Sequence, residues 1–177
     1  THNGEMLTYN TLLGFNVLEA ARQNGVKRAL VVSTSCVYPD DAEVPIKEDA
    51  FNGTPEGVNE GYALGKINME KQAQYYVNEY GMEIAIARPN NAYGAGDIWD
   101  GKKSHVIPAL IKRVLDGEDP LTVWGSGEQS RAFVHVCDIA HGFMLLTEHY
   151  AVGDPVNVGH QNETRIGELA KKICELT

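Results

Sequence analysis

The chain has 177 residues, the length of one ordinary domain, with 24 acidic and 15 basic side chains and a net charge of −9. It stays negative even with all six histidines protonated and has no basic run, which excludes the electrostatic footprint of a nucleic-acid binder. Hydrophobic residues at 43% and charged residues at 22% exclude a disordered chain, and no apolar stretch approaches the roughly 18 residues of a membrane span.

In chain order, Leu7, Leu12, Leu13, Phe15, Val17, Leu18, Ala20 and Ala21 recur at helical spacing, and Gly25 stands where a C-terminal cap belongs. Residues 28–33 are short, apolar and partly β-branched, the pattern of a strand buried on both faces. The stretch 36–60 holds three of the seven prolines and many acids, which predicts a long loop. Residues 62–80 are helical in pattern and stop at Gly81; residues 83–88 form a second apolar strand.

A further loop reaches Ser104, the predicted N-cap of a helix that runs to about Asp116 and stops at Gly117. Residues 121–124 and 133–136 read as short strands, and 156–158 as a weaker one. Asp138 caps a predicted helix through Leu146, and Thr164 another through Leu176. Helices alternating with apolar strands predict an α/β fold with a parallel sheet. Ligands in such sheets gather at the carboxyl ends of the strands, which sets Ser33, Thr34, Ser35 and Cys36 at one rim with Pro89, Asn90 and Asn91.

Three cysteines, Cys36, Cys137 and Cys174, without CxxC spacing argue against a disulfide framework or a zinc site and for a reducing, cytoplasmic setting. His2, His135, His141, His149 and His160 show no metal-ligand spacing either, so no metal is expected.

The chemistry concentrates on Thr34, Tyr62 and Lys66. Tyr62 and Lys66 stand four apart on a helix and share a face, where an ammonium favours the tyrosinate and lowers the phenol towards neutrality. Tyr62 then becomes a usable general acid or base, with the Thr34 hydroxyl steadying the same substrate oxygen.

Five segments, Asn10–Ala21, Val32–Pro39, Tyr62–Lys66, Arg88–Gly94 and Trp124–Val136, resemble in order the extended short-chain dehydrogenase/reductases that act on nucleotide sugars. The resemblance implies a partial Rossmann-like, doubly wound parallel sheet over residues 1–100 and part of a smaller substrate domain over 101–177. It implies Thr34, Tyr62 and Lys66 as catalytic, NADP or NAD as cofactor, and a homodimer through helices 7–24 and 62–80. It further places Val32, Ser33, Thr34, Ser35, Tyr62, Lys66, Pro89, Asn90, Asn91, Ala92 and His105 against the cofactor. Asn91, Arg113, Trp124 and Arg131 fall on the nucleotide-sugar side, where a guanidinium fork suits a diphosphate.

Dehydratases of this group carry Asp-Glu after the catalytic Thr; here Ser35-Cys36 stands instead. Cys36 with His105 resembles the subgroup that epimerises a 4-keto GDP-sugar at two carbons and then reduces it, a thiol and an imidazole serving as base and acid. A 4-epimerase would need neither residue, and a 3,5-epimerase sharing the cysteine would use a lysine such as Lys103. No glycine-rich turn after a strand precedes Asn10, so the chain is expected to be a segment of a larger enzyme, or else a non-catalytic binding or assembly module.

Overall fold

A computed structural model describes residues 2–99 and 104–176, so Lys103 lies outside the described residues. The chain divides into two compact units, residues 1–90 with 139–158, and residues 91–138 with 159–177. The sequence sets its division at residue 100. In the structure the break falls between Asn90 and Asn91, and residues 139–158 return to the first unit because their strand joins its sheet.

The first unit holds α1 (Asn3–Gln23), β1 (Arg28–Val32), α2 (Glu60–Tyr80), β2 (Glu83–Pro89) and β5 (Val152–Val158). Its three strands are all parallel in the order β1-β2-β5. β2 runs down the centre with Ile84–Arg88 buried, as its apolar sequence predicts. β1 differs from expectation. It is the edge strand among the described residues, so Ala29 and Leu30 are only half-buried and Val32 is exposed.

Leu18 of α1 and Ala73 of α2 pack with Val31, Ile84 and Ile86 into one core. α1 lies unusually close to α2. A Cβ at Gly61 would sit 2.0 Å from the Asn3 carbonyl oxygen, and one at Gly65 2.6 Å from Asn10 Cβ. Only glycine admits that approach, and both positions flank Tyr62 and Lys66 on the helix.

The second unit holds β3 (Asn91–Tyr93), α3 (Val106–Leu115), β4 (Ser130–His135), β6 (Glu163–Arg165) and α5 (Ile166–Leu176). β3 pairs parallel with β4, and β4 antiparallel with β6; both short strands escape sequence reading. Leu110, Ala170 and Ile173 form its core with Leu121 and Val123. α4 (Val136–His149) bridges the division in sequence.

Several predicted boundaries need correction. Residues 121–124 form no strand: Thr122 N–H is taken by Glu118 and its carbonyl by Arg113, so side chains satisfy what a ladder would. Ser104 lies before the cap, which is His105, and its hydroxyl bonds the Ile98 carbonyl instead. Helix α4 starts at Val136, ahead of Asp138, and Thr164 lies within β6.

Candidate active site

The first-unit site is built where β1 ends against one face of α2. Positions 62, 66 and 70 follow one another at four-residue spacing, so their side chains point to the same side. Thr34 is buried, its hydroxyl accepts the Cys36 amide at 3.2 Å, and it lies near enough to the Tyr62 phenol to favour its ionised form. Lys66 Nζ donates to the Val32 carbonyl at 2.9 Å and lies 5.6 Å from the Tyr62 ring centre. Thr34, Cys36, Tyr62 and Lys66 therefore meet at one strand end.

The electrostatics differ from the sequence expectation in one respect. Burial pushes the Tyr62 phenol up, while the Thr34 hydroxyl pulls the other way more weakly. Lys66 bonds the Val32 carbonyl and is not among the groups shifting Tyr62; burial pushes its own ammonium down. Tyr62 thus stays a neutral phenol at physiological pH. Cys36 is a thiol for the same reason: burial lifts it from 9.0 to about 11, and the neighbouring Glu56 carboxylate adds to the rise.

Glu56 carries no motif in the sequence, yet its amide donates to the Cys36 carbonyl at 3.0 Å and its carboxylate lies near enough to the thiol to raise it. Ser33, expected beside a cofactor, is 1% exposed and its hydroxyl donates to Glu70. Pro89 and Asn90 end β2, and the Asn90 amide bonds the Val158 carbonyl at 3.0 Å. Ser35 begins the short helical turn that carries Cys36.

His105, Asn91, Ala92, Arg113, Trp124 and Arg131 belong to the second unit. His105 is exposed, and its Nδ1 lies 3.2 Å from Asp97 Oδ1, an oxygen that also accepts the Ile98 amide at 2.7 Å. Asn91 Nδ2 donates to the Ala132 carbonyl at 3.1 Å.

Leu110, Arg113, Trp124, Gln129, Arg131 and Ile166 line a cavity of about 390 Å³, a size typical of small-molecule sites. Arg113 is not free there: its guanidinium grips the Glu118 carboxylate with both arms and donates to the Thr122 carbonyl at 2.6 Å. Arg131 is exposed and donates to the Ser130 carbonyl next to it at 2.8 Å; Trp124 is 85% exposed. Among the described residues no group of His, Cys, Asp and Glu is placed to hold a metal, and no helix is long and apolar enough to cross a membrane.

A parallel sheet whose strand end meets a Tyr-x-x-x-Lys helix defines a Rossmann-like short-chain dehydrogenase/reductase. The chain belongs to the NAD dependent epimerase/dehydratase family, whose profile matches residues 1–159. It is 35% identical to a GDP-L-fucose synthase of Sinorhizobium fredii, covering 99% of this chain and 58% of that one. It is 32% identical to a GDP-mannose 3,5-epimerase 1 of Oryza sativa subsp. indica, covering 97% and 46%. A GDP-L-fucose synthetase of Naegleria fowleri, crystallised bound to NADP, superposes with a TM-score of 0.82 at 27% identity, covering 94% of this chain and 55% of that one. The chain spans about half the length of the curated relatives it matches.

Proposed function

We propose that this chain carries the proton-handling half of an NADP- or NAD-dependent GDP-sugar epimerase/reductase, most like a GDP-L-fucose synthase. The observation that carries it is the meeting of Thr34, Cys36, Tyr62 and Lys66 at the end of β1. A simple 4-epimerase has no use for a thiol there.

Each group has a part set by its surroundings. Tyr62, a neutral phenol, and Thr34 hold the 4-keto oxygen; as the carbonyl is reduced, Tyr62 gives that oxygen its proton. Cys36, with Glu56 as the nearby acceptor for its own proton, removes a proton from the carbon beside the ketone. The electron pair moves onto the oxygen held by Tyr62 and Thr34. His105, whose Nδ1 lies 3.2 Å from Asp97 Oδ1, is the residue that the resemblance implies for returning a proton.

Lys66 suits a nicotinamide ribose. Its ammonium has three N–H donors and is seen to give one to the Val32 carbonyl, leaving donors for a diol. The bound cofactor supplies the hydride. Arg131, Trp124 and Gln129 offer a fork, an aromatic face and an amide to a nucleotide diphosphate in the second-unit cavity.

The assembly we infer is a homodimer through α1 and α2. Tyr9, Leu12, Leu13 and Val17 on α1 and Tyr75 and Tyr80 on α2 are 51–66% exposed, more apolar surface than a solvated helix pair needs. Three free cysteines fit a reducing, cytoplasmic setting.

The test is NADPH oxidation on adding GDP-4-keto-6-deoxymannose, followed by absorbance, with the product read by NMR. Turnover that vanishes in Tyr62→Phe supports the proposal. An epimerised but unreduced product favours a 3,5-epimerase.

A further inference from the structure

The Glu70 and Arg88 side chains are 4% and 3% exposed, and the guanidinium meets the carboxylate through two parallel bonds of 2.7 and 2.9 Å. Such a pair is a poor device for stability. Removing two charges from water costs several kcal/mol each, and apolar residues of the same volume commonly serve as well. What a bidentate pair does supply is direction, because the fork fixes where its remaining donors and acceptors point.

Those remaining groups reach both sides of the segment that carries Thr34 and Cys36. Glu70 Oε1 accepts the Ser33 hydroxyl, one residue before Thr34. Arg88 Nη1 donates to the Tyr38 hydroxyl at 2.9 Å, two residues after Cys36, and the Arg88 guanidinium lies 5.0 Å from the Tyr38 ring centre. Tyr38 in turn donates to Asn157 of β5 at 2.7 Å. Inside the segment the bonds are short-range and longer, 3.2 Å for Cys36 N–H to Thr34 and for Tyr38 N–H to Ser35. Glu70 sits on the helix face that also carries Tyr62 and Lys66, so one anchor relates the helix groups to the strand-end groups.

We propose that Glu70 and Arg88 are positioning residues: their buried pair clamps residues 33 and 38 and so fixes Thr34 and Cys36 relative to Tyr62. This rests on the catalytic reading of those three residues, but its test needs no turnover. In a Cys137→Ser/Cys174→Ser background Cys36 is the only thiol. Replacing the pair by Glu70→Leu/Arg88→Met keeps the packing and removes the clamp.

The expected result is a rise of about tenfold or more in iodoacetamide alkylation of Cys36 at pH 8, with amide exchange of Ile84–Ala87 changed less than about threefold. Arg88→Lys, which keeps a charge but not the fork, should move alkylation in the same direction and covers the case in which the double variant does not fold. Unchanged alkylation overturns the proposal. So does an equal rise in exchange along β2, since the pair would then hold the whole fold and not the segment. An inactive wild-type chain would remove the catalytic reading while leaving this comparison interpretable.

Discussion

The two units handle polar groups in opposite ways. In the first, Ser33, Thr34, Glu70 and Arg88 are all buried and bonded to one another or to the segment that carries Cys36. In the second, His105, Trp124 and Arg131 face solvent, and Arg113 is already paired with Glu118. Under the proposed function the difference is a division of labour. Proton transfer needs groups fixed within fractions of an ångström, which burial and bidentate bonds provide. Capture of a charged nucleotide sugar needs forks and rings that water has not been excluded from until the ligand arrives.

Breaking the first region should have the larger effects. Tyr62→Phe is expected to lower kcat by roughly 10²–10⁴-fold with little change in melting temperature, measured by NADPH oxidation. Arg88→Met alone should destabilise the chain by about 3–5 kcal/mol in urea unfolding, because it strands the buried Glu70 charge, whereas the double replacement should cost far less.

The thiol sharpens the contrast further. With Cys36 lifted to about 11, its thiolate at pH 8 should be about 100-fold scarcer than that of an ordinary cysteine, so alkylation mapped by mass spectrometry should reach Cys137 and Cys174 first. A folded-state value above the unfolded one means that the folded chain holds this proton more tightly. The contribution of Cys36 to stability is then complete below pH 9 and is lost as pH rises towards 11, relative to Cys36→Ser in the same titration. In the second region, Arg131→Ala should leave stability within about 0.5 kcal/mol and raise the KM for the sugar nucleotide about tenfold.

The sequence made Thr34, Tyr62 and Lys66 legible because helical spacing and a strand end are local patterns. Glu70 stood in the same stripe, one turn on, but nothing local marks a helix glutamate whose partner lies 18 residues away on a central strand. Arg88 ends the predicted strand 83–88 and opens the Arg88–Gly94 segment, and neither feature points to a partner on α2. The same limit hid β3 and β6: three-residue strands exist through partners such as Phe133 and Arg131, not through their own composition. It also explains residues 121–124, whose apolar alternation is that of a strand although Glu118 and Arg113 satisfy the backbone. Glu56 and Asp97, which touch Cys36 and His105, are loop acids in a chain rich in them.

The most direct test of the central claim is proton exchange without any cofactor. Incubating the chain with GDP-4-keto-6-deoxymannose in deuterated water should place deuterium at C3 and C5, read by NMR, and Cys36→Ser should abolish it. Deuterium that enters undiminished in Cys36→Ser, or none at all with the wild-type chain, would contradict the account.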